Sequence, residues 1–377
     1  MKKVLFVDDE QPVLDALKRM LKPQRELWDM YFRTSGDDAV ELMDRVDIDV
    51  LVSDIQMPGM TGDALLRYVH DHYPSVIRIM LSGINEGELD MRKIPIAHHY
   101  IEKPCSAPTL MNVVERAYAL YDRLRHPRLA AFFDGPLQSL DAPRIYVVLT
   151  KALTNPKTTA EDLVKILEED EHLAGQLLVF ARSTIIGAKT RPENLREATV
   201  AMGMSMMKNA ALSFAVLRMQ EHSTGDMTGI HQHVMSVADI AKKISPVEHS
   251  ENDLVLAAML HDVGKWVIAT TDPERYQRTI SLAAEKGCSF FEAEAAACEV
   301  SHAEIGAALL ERWGLTYPVV EAVANHHTLM PTLRETISMP MVLYVADRLA
   351  HRRSFGDDEQ RQLGIEAVLS TWQGLVE

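Results

Sequence analysis

Two apolar runs near the start of the chain end in aspartate. Val4-Leu5-Phe6-Val7 leads into Asp8-Asp9-Glu10, and Val50-Leu51-Val52-Ser53 leads into Asp54 and then Met57-Pro58-Gly59. Short continuous apolar runs read as strands buried on both faces of a parallel sheet, and such sheets bind ligands beyond the carboxyl ends of their strands. Carboxylates crowded there repel one another, so a cation is expected among them, and Mg2+ suits an all-oxygen donor set. Ser82 follows a fourth strand-like run in Leu81-Ser82-Gly83, and Lys103 follows a fifth in Glu102-Lys103-Pro104. An aspartate carboxylate can accept a phosphoryl group when a cation and a lysine neutralise the incoming charge.

The later part of the chain carries a different set: His233, His261-Asp262, His302, His326-His327 and Asp347, each in or beside a helical pattern. Imidazole mixed with carboxylate suits Zn2+, Mn2+ or Fe2+. An aspartate bonded to two ions could bridge them, and a pair of ions can clamp both oxygens of a phosphoryl displacement. Packing competes with this reading. His233 could be a satisfied core histidine, His302 a helix N-terminal residue, and His261-Asp262 a hydrogen-bonded pair that needs no metal. His231 reads as a surface or capping residue. Met202, Met204, Met206, Met207, Met219 and Met235 read as adaptable core. Glu168-Glu169-Asp170-Glu171 reads as a solvated helix end.

Elements must place these groups. Strand-like runs fall at Val4–Val7, Trp28–Arg33, Val50–Ser53, Ile77–Leu81 and His98–Ile101. Helical patterns near Pro12–Leu21, Asp37–Arg45, Asp63–His72 and Glu86–Arg92 alternate with them, and a last one starts at Pro108. That alternation predicts a parallel α/β sheet. The last helix carries Leu110, Val113, Val114, Ala117, Leu120, Tyr121 and Leu124 at helical spacing, an apolar face which could pack within the chain or mediate a homodimer. Beyond Leu137 the strand pattern disappears and helical periodicity runs through to Met341–Leu349, so this half is expected to be all α. Gly225, Asp226, Thr228 and Gly229 mark a loop between helical groups.

The chain has 377 residues, 47% hydrophobic and 25% charged, with a formal net charge of -15. That length allows two or three domains with their own cores. The acidic balance argues against a broad nucleic-acid surface, which needs Lys and Arg. No apolar run approaches the ~20 residues of a membrane span, and Met1-Lys2-Lys3 runs into a strand pattern rather than a signal-peptide core. Cys105, Cys288 and Cys298 form no CxxC pair, so a disulfide framework is not expected and a reducing cytoplasm fits.

The ordered set Asp8-Asp9, Asp54 with MPGMTG, Ser82 and Lys103-Pro104 resembles the receiver domain of two-component response regulators. The resemblance implies a flavodoxin-like (βα)5 fold and a partner sensor histidine kinase. It makes Asp54 the phosphoacceptor and Asp9 a Mg2+ ligand, assisted by Asp8 and the backbone carbonyl of Gln56. Ser82 and Lys103 would hold phosphoryl oxygens, and Tyr100 matches the aromatic switch position. The array H, HD, H, HH, D resembles the HD superfamily of metal-dependent phosphohydrolases. The ordered segments Leu140-Asp-Ala-Pro143, Glu168-Glu-Asp170, Glu197-Ala198, Met202-Gly203, HDVGK ending at Lys265, His302-Ala-Glu-Ile-Gly306, Trp313-Gly314 and His326-His327 narrow it to the HDOD, or HD-related output, domains. Those relatives are generally regarded as non-catalytic. The related HD-GYP phosphodiesterases follow their paired histidines with an acidic residue and Gly-Tyr-Pro, whereas Thr328-Leu329-Met330-Pro331 stands here. Some of them also carry a glutamate where this chain has Gly229. The expected division is a receiver over 1–122, a helical linker over 123–135, an HDOD domain over 136–345 and a helical extension over 346–377. The expected output is a regulatory module for an unidentified protein or nucleotide ligand, or else a metal-dependent phosphohydrolase.

Overall fold

The computed structural model describes residues 1–83, 96–134, 140–221, 229–245, 251–328 and 338–355. The expected helix at Glu86–Arg92, the loop at 225–228, residues 329–331 and the extension beyond 355 lie outside the described residues. The chain divides into two compact units, one of residues 1–125 with 316–318 and the other formed by the remaining residues from His126 on.

The first unit holds a parallel sheet of β1 (Lys2–Val7), β2 (Trp28–Arg33), β3 (Val50–Asp54), β4 (Ile77–Gly83) and β5 (His99–Lys103), ordered β2-β1-β3-β4-β5. The order reverses between β1 and β3, the point at which doubly wound sheets open a crevice. Helices α1 (Gln11–Met20), α2 (Gly36–Met43), α3 (Gly62–His72) and α4 (Ala107–Leu124) accompany it. Apolar side chains on both faces explain the continuous runs: Leu5, Val7, Leu51 and Met80 join one core cluster with Leu65, Leu66 and Val69 of α3. Ser106 caps α4, and its apolar face (Leu110, Val114, Ala117, Leu120, Tyr121, Leu124) is buried within the chain.

The second unit is helical among its described residues. Its elements are α5 (Pro127–Asp134), α6 (Arg144–Leu153), α7 (Ala160–Leu167), α8 (Glu171–Ala181), α9 (Leu195–Met202), α10 (Met204–Glu221), α11 (Ile230–Ile244), α12 (Glu251–Leu260), α13 (Val263–Thr271), α14 (Pro273–Lys286), α15 (Phe290–Ala297), α16 (His302–Arg312), α17 (Tyr317–Ala324) and α18 (Met339–Phe355). Helix α5 occupies most of the expected linker, and α18 runs unbroken through residue 346. Helices α13 and α15 are only weakly amphipathic, so apolar periodicity does not mark them in the sequence. α11 packs on α12 and α18, and α13 packs on α16.

Two other expectations change. Asp170 is no idle solvated acid: it caps α8 through the Leu173 amide and pairs with Arg218 at 2.7 Å. Asn252–Thr271 together form an apolar stretch long enough to cross a membrane, yet 83% of it is buried inside this unit, as befits a core helix.

Candidate phosphoacceptor and metal-binding sites

Parallel pairing aligns the carboxyl ends of the strands. Val7 pairs with Ser53, Asp54 with Leu81, Ser82 with Glu102, and Gly83 with Lys103. Asp8, Asp54, Ser82 and Lys103 therefore share one sheet edge. Asp8 is 1% exposed and Asp54 7%. Lys103 Nζ donates to Asp8 Oδ2 at 2.7 Å and also to Asp54 Oδ1. Burial works against the ammonium charge, but the two carboxylates outweigh it and raise its pKa. The Gln56 amide donates to Asp54 Oδ2 at 2.9 Å. The Glu10 amide donates to Asp8 Oδ1 at 3.0 Å, so the turn after β1 holds that carboxylate in place. Asp9 is exposed at the same turn. Gly62 is required for close approach: a Cβ there would lie 1.9 Å from the Asp54 carbonyl oxygen. Tyr100, half-buried on β5, packs against the core cluster, and burial raises its hydroxyl pKa.

The second constellation forms where helices α11, α12, α13, α16, α17 and α18 meet. His261 and Asp262 fill the break between α12 and α13. Asp262 takes the N-cap position of α13 but makes no side-chain cap bond. Its carboxylate instead faces the histidines, with Oδ2 3.4 Å from His261 Nε2 and Oδ1 3.4 Å from His302 Nε2. His326 Nε2 lies 3.7 Å from the same Oδ1, and His233 Nε2 3.8 Å from Oδ2. Asp347 Oδ1 lies 3.1 Å from His233 Nε2, and its Oδ2 lies 3.7 Å from His327 Nδ1. All of the expected ligands converge: His233, His261, Asp262, His302, His326, His327 and Asp347.

The outer nitrogens of three rings are already committed. Nδ1 of His261 lies 2.7 Å from the Ala258 carbonyl, and Nδ1 of His326 lies 2.6 Å from that of Val323. Nδ1 of His302 lies 2.8 Å from Glu294 Oε2. A proton on each Nδ1 leaves the Nε2 lone pair aimed inward, the arrangement that orients metal-binding imidazoles. Nε2 atoms then face each other at 3.2 Å (His233 and His261) and 3.0 Å (His302 and His327). Facing lone pairs repel unless a proton or a cation lies between them.

Protonation follows the carboxylates. Burial opposes charge on His261, yet Asp262 and then Asp347 lift its pKa to about 10. His302 is raised against burial by Asp262 and Glu294. Burial, helped by neighbouring imidazoles, lowers His326 to about 4 and also depresses His327. Despite burial, Asp262 and Asp347 are held well below the usual carboxylate range, Asp262 chiefly by Lys265 and His261, Asp347 chiefly by His233 and His261.

These donors fit a divalent ion. Asp262 Oδ1, His326 Nε2 and Asp347 Oδ1 are buried without a hydrogen bond of acceptable geometry. One ligand atom from each of Asp262, His302, His326 and His327 lies within 4.8 Å of the others, and the same holds for His233, His261 and Asp262. Asp262 belongs to both groups, as a bridging carboxylate would.

Sequence reasoning missed three contributors. Lys265 Nζ donates to Asp262 Oδ2 at 2.7 Å, one turn along α13; it stood inside the HDVGK segment without an assigned role. Glu294, 1% exposed, sits in the unrecognised helix α15. His351 follows Asp347 by one helical turn, and that spacing was the available signal.

A five-stranded parallel receiver-like unit followed by an all-helical unit with a converged H, HD, H, HH, D set defines a response regulator with an HD-like output. The chain belongs to the HDOD domain family, whose profile matches residues 140–329, half of the chain, and the response regulator receiver domain profile matches residues 4–115. A receiver domain implies a phosphodonor partner such as a histidine kinase. An uncharacterized protein of Treponema pallidum is 24% identical over 190 residues, covering 50% of this chain and 37% of that protein. The hydrogenase transcriptional regulatory protein HoxA of Cupriavidus necator is 34% identical over 116 residues, 30% of this chain and 23% of that protein. The chain thus spans well under half the length of either relative. A solved HDOD domain protein of unknown function from Geobacter sulfurreducens shares the fold, with a TM-score of 0.51, 23% identity, and coverage of 62% of this chain and 80% of that one.

Proposed function

We propose that this chain is a two-component response regulator of the reducing cytoplasm in which phosphorylation of Asp54 governs an HDOD output built around a divalent metal centre. The convergence of Asp262, His302, His326 and His327, each with one ligand atom within 4.8 Å of the others, is the observation that carries the metal reading. In the receiver, Asp8, Asp9 and the Gln56 carbonyl would hold Mg2+, which offsets the charge of the incoming phosphoryl group. Lys103 now neutralises Asp54. Once that carboxylate carries a phosphoryl group, the same ammonium would pair with its oxygens, alongside the Ser82 hydroxyl. The ~1.5–2 added negative charges would bias β5 and its half-buried Tyr100.

In the output, His233, His261 and Asp347 would hold one ion and His302, His326 and His327 another, with Asp262 between them. Such ions polarise phosphoryl oxygens and lower the pKa of bound water. Lys265 fixes the Asp262 carboxylate and keeps cationic charge at the site. The HDOD assignment supports a regulatory module that binds a protein or nucleotide ligand. A second reading, phosphoester hydrolysis, is favoured by the completeness of the ligand set. A phosphodiesterase screen over nucleotides and cyclic dinucleotides, on metal-loaded protein with Asp262→Ala as control, separates them. Turnover lost in the variant establishes hydrolysis, whereas ligand binding without turnover establishes the module.

A further inference from the structure

Asp347 and His351 stand four residues apart on α18, the spacing that places side chains on one helix face. His351 Nε2 lies 3.4 Å from Asp347 Oδ1. His233 reaches the same oxygen from α11 at 3.1 Å, and its ring centroid lies 4.5 Å from that of His351. One ligand atom of each of the three lies within 4.8 Å of the other two. Asp347 is 2% exposed, and neither imidazole meets its Oδ1 with hydrogen-bond geometry. The contact therefore lacks the alignment that two N–H donors would impose.

The geometry points to His351 as a further, outward ligand of the ion that His233, His261 and Asp347 would hold, resting on the reading of the His/Asp cluster as a metal centre. Imidazoles with one carboxylate suit a borderline divalent ion such as Zn2+, Mn2+ or Fe2+. This outer ion differs in access from the inner group. The side chains of His302 and His326 are 0% exposed, whereas that of His351 is 41% exposed. His351 is thus the ligand that solvent or an incoming phosphate can displace. The outer ion is the exchangeable one, and the inner ion, enclosed by Asp262, His302, His326 and His327, is retained.

The test is a Co2+ titration of the chelator-treated full chain, followed by the ligand-field absorption and by metal equivalents. A residue bonded to the ion should matter at least as much as one that only orients such a residue, so His351→Ala should weaken one equivalent by at least about tenfold and leave the other unchanged. His351→Asp, which keeps a donor atom, should retain most of that affinity. Unchanged number and affinity of Co2+ equivalents in His351→Ala would overturn His351 as a ligand while leaving the metal centre standing. A wild-type chain that binds no Co2+ would overturn both.

Discussion

Glu294 Oε2 lies 2.8 Å from His302 Nδ1 and also accepts the His302 backbone amide at 2.8 Å. One carboxylate oxygen thereby fixes both the start of α16 and the ring orientation of its first residue. Arg275 on α14 in turn donates to Glu294 Oε1 at 3.3 Å and to the Val300 carbonyl. Such outer partners typically contribute 10–100-fold in metal affinity. Glu294→Gln should retain an acceptor for Nδ1 and lose roughly tenfold. Glu294→Ala should lose more, and by stranding the buried Arg275 should cost about 3–5 kcal/mol in urea unfolding. Equal metal affinity in all three proteins would remove Glu294 from the site.

At the receiver edge, Asp54→Ala should abolish labelling by acetyl phosphate on a phosphate-retarding gel. Lys103→Ala keeps the acceptor but removes the ammonium shared by Asp8 and Asp54, so its labelling rate should fall on the order of a hundredfold. Undiminished labelling of Asp54→Ala would move the phosphoacceptor elsewhere.

Gly264 lies where α13 crosses α16. A Cβ at this position would stand 1.9 Å from the His302 carbonyl oxygen and 2.8 Å from the Gly306 amide. Neither backbone can yield without moving His302. Gly264→Ala should therefore destabilise the chain by about 1–3 kcal/mol or more and weaken metal binding with it. A urea midpoint equal to that of wild type would contradict this packing.

His98 links β4 to α4. Its Nδ1 accepts the Arg78 backbone amide at 2.8 Å, and its Nε2 lies 2.5 Å from the Tyr121 hydroxyl and 3.1 Å from an Arg78 guanidinium nitrogen. Burial, then the Arg78 charge, lowers its pKa well below the ordinary value of 6.5. The folded ring stays neutral while the unfolded ring gains a proton below pH ~6.5, so stability falls as pH drops through that value, by up to ~1.4 kcal/mol per pH unit. His98→Asn preserves the acceptor for Arg78 but does not titrate. Its urea stability should lose that part of the slope between pH 7 and 5, and an unchanged slope would sink the assignment.

The strands were legible because burial on both faces leaves continuous apolar runs, and β2 matched its run end to end. β5 starts one residue later than its run: the His98 amide still bonds the Arg78 carbonyl at 2.7 Å, but its ring Nδ1, not its backbone carbonyl, accepts the Arg78 amide. Helix α15 was hidden: Phe-Phe-Glu-Ala-Glu-Ala-Ala-Ala has no apolar period, and it forms through the Ser289–Glu292 capping box. Glu294 within it looks like a surface acid, since its burial depends on Arg275, nineteen residues earlier. The aspartates and histidines were visible by type and order. Their convergence depended on how α11, α16 and α18 pack, which periodicity alone does not specify.

The most direct test of the metal centre is elemental analysis of the purified, metal-replete full chain beside Asp262→Ala. The account predicts bound Zn, Mn or Fe in the wild-type chain and its loss in the variant, because Asp262 serves both ligand groups. A metal-free wild-type chain, or a variant that retains the full complement, would contradict it.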